Sequence, residues 1–313
     1  MHRFLLRRIL VAIPTLAIVG VTVFVLIRLI PGDPVQVMLG DMAKPHQIVA
    51  MRQSLGLDQP VPVQFLHWLR NILTGDWGHS IVNGLPVLPL MLDRFQVTAA
   101  VAVAAVALAS LVAVPAGLIA AWRQGSLSDF TVVGLSTLLL SIPSFWLGLL
   151  LLMLFGLKLG WLPIVGYVPI AEDLVAAIPY LIMPVVTVAL IELGFVARMA
   201  RASTIEVLRL EYITHARAKG LSEATVLWRH AFPNAFAPTW TVIGLILGNL
   251  LGGAAVTETV FTLPGLGRLL VDSIYARDYP VVQGCLLLIA VLYVLVNLMV
   301  DLLYPLFDPR VAA

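Results

Sequence analysis

Apolar positions gather into six long runs, at about 9–30, 96–121, 130–157, 179–200, 236–257 and 282–305, and charged and turn-forming residues return between them. Each run predicts a helix long enough to cross the hydrocarbon core of a bilayer, ~30 Å thick, at ~1.5 Å per residue. The first run follows Arg3, Arg7 and Arg8 as a signal peptide would. Its apolar stretch is too long for one, however, and no small-x-small site precedes Pro31-Gly32-Asp33-Pro34, so a retained anchor is expected.

Between the first two runs, residues 31–95 are polar and broken by Pro-Gly, Asp-Gln-Pro and Gly-Asp-Trp turns, which predicts a small extracytoplasmic subdomain rather than a connector. Within it, PVQFLHWLRNIL places Phe65, Leu66, Leu69 and Leu73 at helical spacing, as in a short amphipathic helix lying on the membrane or on the protein. Four segments follow: 1–30, a terminus and first helix; 31–95, the subdomain; 96–305, a core of five spans that includes a loop at 201–235; and 306–313, a tail. The fold class expected is an all-α membrane protein of six transmembrane helices.

The runs have the composition of closely packed helices. Alanine dominates from Ala99 to Ala113, and Gly244, Gly248 and Gly252 recur every four residues, which lines one helix face with glycine and lets another backbone approach. Pro14, Pro115, Pro143 and Pro184 interrupt the runs, as tolerated where neighbouring groups satisfy the freed carbonyls. A bundle that moves and a statically packed one both fit this pattern.

Composition agrees with a membrane solvent: 313 residues are 60% hydrophobic and 12% charged, with mean hydropathy +1.00. A net charge of +2 without a block of like charges leaves nothing for nucleic acid. With the amino terminus inside, the inside segments hold eleven of the nineteen basic residues against seven acids, and the outside segments hold eight against ten. This asymmetry predicts both termini in the cytoplasm, with 1–8, 122–129 and 201–235 as the decisive loops. The single cysteine, Cys285, excludes an internal disulfide and reads as a buried packing residue. The six histidines lie outside the spans and form neither an i,i+4 pair nor H-E-x-x-H, so no metal site and no intramembrane protease is indicated.

The loop 201–235 carries basic residues yet has helical periodicity. Lys219-Gly220 reads as a helix end, Ser222 as the N-cap of a second helix, and Leu221, Ala224, Leu227, Trp228 and Ala231 as its apolar face. Such a face fits a protein groove or an anionic lipid surface.

The spacing of Ala216, Gly220 and Pro233 resembles the EAA loop of binding-protein-dependent ABC importer permeases. The wider YITHARAKGLSEATVLWRHAFPNA is similar to the peptide/nickel branch of that family. So are IPGDP at 30–34, LGLDQP at 55–60, FTLPGLGRLLVDSI at 261–274 and RDYPVVQG at 277–284. Together they resemble the B-type permease subunit of dipeptide and oligopeptide importers. Thr214 stands where the general motif has glutamate, His215 where alanine is usual, and His230 and Phe232 where isoleucine and leucine are usual.

The resemblance implies a type I ABC importer permease fold in a bacterial inner membrane, with Thr214, His215, Ala216, Gly220, Leu221, Ala224, Leu227, Trp228 and Pro233 in a coupling element. It implies as partners a homologous second permease, two cytoplasmic ATP-binding subunits and an extracytoplasmic substrate-binding protein. Short peptides are the implied cargo, with nickel chelates, glutathione, opines and oligosaccharides as alternatives and a stand-alone secondary transporter as a different class. None of Lys44, Lys158 and Lys219 ends a G-x-x-x-x-G-K-[ST] loop, so ATP and magnesium belong to partner subunits and no cofactor to this chain.

Three polar residues are candidates for the pathway. Glu192 lies within the fourth run on a face with Val185, Val188, Phe195 and Met199, where a charge costs ~2.5–3.5 kcal/mol on insertion scales. It either meets the cargo's amino group or packs between helices. Asn249 lies on the glycine-rich run. Glu258 ends that run, where exposure at the outer face would make it inexpensive and a role at a gate or a helix terminus is open.

Overall fold

A computed structural model describes residues 2–29, 35, 44–54 and 58–307, and these form helices joined by turns, with no strand among them. In chain order they are α1 (His2–Leu29), α2 (Pro45–Ser54), α3 (Val61–Leu73), α4 (Val87–Trp122), α5 (Leu127–Ser141) and α6 (Ser144–Leu151), whose end widens into a π-helical turn, Leu152–Lys158. Then follow α7 (Leu174–Leu208), α8 (Glu211–Ala218) and α9 (Glu223–Thr225), which continues through a π-helical turn, Val226–Ala231, into α10 (Phe232–Gly253). The chain closes with α11 (Ala255–Val260), α12 (Leu266–Tyr275) and α13 (Tyr279–Leu303). The motif residues 30–34 and 55–57, and the tail from 308 onward with Arg310, lie outside the described residues.

Four helical stretches among the described residues are long and apolar enough to cross a membrane: Val87–Trp122, Leu174–Leu208, Glu223–Gly252 and Tyr279–Leu303. A fifth candidate is α5 with α6 and its π turn, where the run at 130–157 is broken at Pro143, one of the prolines that interrupt the runs. The pair bends by 96°. The cause is local: Pro143 disfavours helical backbone at Ile142, which is extended at ψ 124°, and Pro143 then starts α6. Helix α1 has 28 residues, and its stretch Leu10–Leu26 is apolar.

Helix α4 begins at Val87, inside the segment assigned to the subdomain, and at ~1.5 Å per residue its 36 residues extend ~54 Å, well beyond a hydrocarbon core. The alanines explain its partner. Ala105 and Ala109 are buried against Val188 and Ala189 of α7, while a Cβ on Gly117 would fall 2.6 Å from the Ala197 carbonyl oxygen. Small side chains therefore set this interhelical distance.

The glycine stripe also packs within the chain. Side chains added at Gly248 and Gly252 would meet Tyr293 Cδ2 and Ile289 Cγ2, each at 2.9 Å, and one at Gly244 would overlap Val300. The helix that the stripe admits is this chain's own α13.

The amphipathic segment forms α3, but with a different face inward. Trp68 and Phe65 pack on Phe24 of α1, with centroids 5.6 and 5.1 Å away, whereas Leu66 and Leu73 are exposed. Beyond α3, the Ser80 hydroxyl donates to Asp278, and the Ile81 N–H donates to the same carboxylate at 3.1 Å, tying this turn to the start of α13.

Candidate functional site

The segment 201–235 is built onto the bundle rather than hung below it. Residues 201–208 extend α7, and α8 follows after a short turn. Lys219 caps α8 and Gly220 takes φ +81°, the left-handed conformation that ends many helices. Ser222 then accepts the Thr225 N–H at 3.3 Å as an N-cap. The junction read at Lys219-Gly220 and the cap read at Ser222 are both present.

The helix after Ser222 is not separate, however, because it runs through the π turn into α10. Pro233, near the start of α10, has no N–H to donate and its ring needs room near the preceding turn, which the widened helix supplies. The His230 carbonyl there accepts from Asn234 Nδ2 at 3.0 Å and from the Tyr212 hydroxyl at 3.3 Å.

Burial divides the expected docking face in two. Leu227 is only 2% exposed and joins Ala231, Val226, Ile213 and Ala216 in the core that includes Leu118 of α4 and Ala197 of α7. Trp228 is 51% exposed, Leu221 39%, and Ala224 is exposed with them. Leu227 is thus an anchor to the bundle, correcting its placement on the outward face. Thr214, His215, Gly220 and Pro233 are exposed as Leu221, Ala224 and Trp228 are, and Ala216 is buried.

Two ion pairs at this end were not read from the sequence. Arg217 holds Glu223 bidentately at 2.8 and 3.1 Å, and Trp122 Nε1 donates to the same carboxylate at 3.3 Å. Arg201 holds Asp129 at 2.5 and 2.9 Å, and Asp129 also accepts the Gly125 N–H at 2.9 Å. Arg217 and Glu223 are six apart across a turn, and Asp129 and Arg201 are on different helices, so no helical spacing announces either pair.

Trp228 also starts an aromatic row with Phe232, Phe236 and Trp240, at centroid steps of 5.7, 5.2 and 6.3 Å, and Phe307 packs on the last two. The four-residue spacing of that row is legible in the sequence as one helix face.

The pathway candidates lie apart from this segment. Glu192 is half-buried on α7 and no hydrogen bond or ion pair holds it among the described residues; Val188 on its face is buried and Phe195 is exposed. Asn249 is exposed beside a groove lined by Thr15 of α1, Gly248, Gly252 and Tyr293.

Glu258 corrects its expected exposure, because none of its surface is accessible. Its carboxylate accepts the Thr98 hydroxyl at 2.5 Å and the Arg268 N–H at 2.8 Å. Thr98 in turn accepts the Leu266 N–H at 2.8 Å. Two side chains from elsewhere thereby satisfy amides that open the first turn of α12, whose own N-cap residue is Gly265. A side chain at 265 would overlap the Glu258 carboxyl, so glycine is required there by contact.

Residues 113–313 match the family model described as binding-protein-dependent transport system inner membrane component, and residues 1–102 match that of the N-terminal part of such membrane components. The chain belongs to this family of ABC permeases. Among its relatives, the probable peptide ABC transporter permease protein of Sinorhizobium fredii is 42% identical over 308 residues, covering 98% of each chain. The dipeptide transport system permease protein of Escherichia coli is 40% identical over 335 aligned residues, covering 99% of each. The permease fold also matches a chain of the MetNI methionine ABC transporter, solved in inward-facing conformations. That match has a TM-score of 0.55 and 18% identity, and covers 70% of this chain and 96% of the other.

Proposed function

We propose that this permease is one membrane half of an ATP-driven importer for short peptides in a bacterial inner membrane. Full-length similarity to permeases named for peptide and dipeptide transport supports the cargo class. In this reading α1, the bent pair α5–α6 and the four long apolar stretches each cross once, giving six crossings with both termini in the cytoplasm. The bias of basic residues toward 122–129 and 201–235 supports that orientation.

A homologous second permease encloses the pathway with this one, two ATP-binding subunits hold ATP and magnesium beneath them, and an extracytoplasmic binding protein delivers the peptide. This chain holds no cofactor. The observation that carries coupling is the outward apolar patch of Leu221, Ala224 and Trp228 above the buried anchor Leu227. Solvent leaves such a patch unsatisfied, and a groove on an ATP-binding subunit covers it. Glu192 and Asn249 remain pathway candidates, whereas the Glu258 carboxylate is engaged at α12.

The test is reconstitution of the permease with its cognate subunits in proteoliposomes, measuring uptake of labelled alanyl-alanine. Uptake that requires both ATP and the binding protein supports the proposal. Uptake driven by an ion gradient alone assigns the chain to the secondary transporters, and ATP-driven uptake of a nickel chelate but no peptide overturns the cargo.

A further inference from the structure

Helices α8 and α9 meet across Gly220, and nothing lies within 4 Å of where a side chain there would project. Beneath the joint α8 is packed to the following turn, since Ile213 and Ala216 share a buried core with Val226 and Leu227, but the Gly220 side is open. Arg217, in the last turn of α8, reaches across it: Nε donates to Glu223 Oε1 and Nη2 to Oε2. A bidentate guanidinium–carboxylate pair sets orientation as well as distance. Each charge also sits at the helix end whose dipole favours it, cation at the end of α8 and anion at the start of α9. The third member is Trp122, the last residue of α4, whose Nε1 donates to Glu223 Oε2.

We propose that Arg217 and Glu223 are positioning residues that join α8 and α9 into one body and key it to the end of α4 through Trp122. A push on the outward patch then reaches α4 through the Glu223–Trp122 contact as well as through the core beneath. The inference rests on the docking reading above. Exposed ion pairs contribute little to folding stability, and both residues are partly exposed, so removing the pair leaves the fold in place and acts on coupling.

The experiment uses the complete complex in proteoliposomes, with alanyl-alanine as cargo, and reads peptides imported per ATP hydrolysed together with co-purification of the ATP-binding subunits. Arg217→Gln and Glu223→Gln each keep those subunits at parental levels and lose about fivefold or more of the ratio. The reversed pair, Arg217→Glu with Glu223→Arg, regains a ratio above either single variant, and Trp122→Phe lowers the ratio with the ion pair intact. A parental ratio in both single variants, or a reversed pair no better than they are, overturns the proposal. Absence of uptake by the parent complex, in contrast, counts against the peptide reading and not against the ion pair.

Discussion

Thr98 and Glu258 stand 160 residues apart in sequence and share a buried hydrogen bond at the mouth of α12. The hydroxyl donates to the carboxylate while accepting the Leu266 N–H, so one side chain joins α4, α11 and α12. Thr98→Val keeps the shape and removes the hydroxyl, leaving buried polar groups unsatisfied at a cost of ~1–3 kcal/mol. Thermal unfolding in detergent is expected to begin at lower temperature for Thr98→Val, and also for Gly265→Ala, whose methyl group overlaps the Glu258 carboxyl. Parental melting of both variants would show that the capping contact does not hold α12.

Gly248 admits Tyr293 of the same chain, so Gly248→Leu acts on the isolated subunit before any partner is involved. Overpacking of this kind typically costs ~1–3 kcal/mol. The purified subunit alone is expected to melt earlier than the parent. Normal melting combined with failed assembly would instead place that face against the second permease.

Leu227 and Trp228 are neighbours with opposite surroundings, and their aspartate variants are expected to fail differently. Leu227→Asp removes a buried leucine, worth ~1.5–3 kcal/mol, and buries a carboxylate in its place, lowering stability and yield. Trp228→Asp loses only the ring contact with Phe232, lowers melting less than Leu227→Asp does, and weakens co-purification of the ATP-binding subunits. Equal melting of the two variants would contradict the inward position of Leu227.

Glu192 distinguishes cargo contact from packing. Glu192→Gln preserves size and removes the charge, so a residue that meets a peptide's amino group loses uptake while peptide affinity of the soluble binding protein, measured by calorimetry, stays at the parental value. Parental uptake with altered melting would make Glu192 a packing residue.

Much of this architecture is legible in the chain because its causes are local. Apolar run length places the long helices, Lys219-Gly220 and Ser222 mark a helix end and a cap, and the spacing of Gly244, Gly248 and Gly252 announces a close helix contact. What the spacing of those glycines cannot say is whose helix approaches, and it proves to be α13. Pro143 carried the signal for the 96° break, yet Pro115 and Pro184 sit inside continuous helices. Proline alone therefore does not tell a bend from a tolerated interruption. The sequence groups Leu227 with Trp228 on one face after Ser222, because periodicity locates an apolar side without saying which neighbour covers it. Leu227 and Ala231 turn to the core, while Ala224 and Trp228, also four apart, turn away from it. The Thr98–Glu258 and Arg201–Asp129 pairs are tertiary and have no signature along the chain.

The central claim is that the Leu221–Ala224–Trp228 patch docks on the ATP-binding subunits. Its most direct measurement is the rate of maleimide labelling of Trp228→Cys, in a Cys285→Ala background, with the permease pair alone and with the ATP-binding subunits bound. The account expects rapid labelling of the pair and strong protection in the full complex, with labelling of exposed Gln124→Cys as the reference for general access. Equal labelling of Trp228→Cys in the two preparations, with the ATP-binding subunits demonstrably bound, would contradict it.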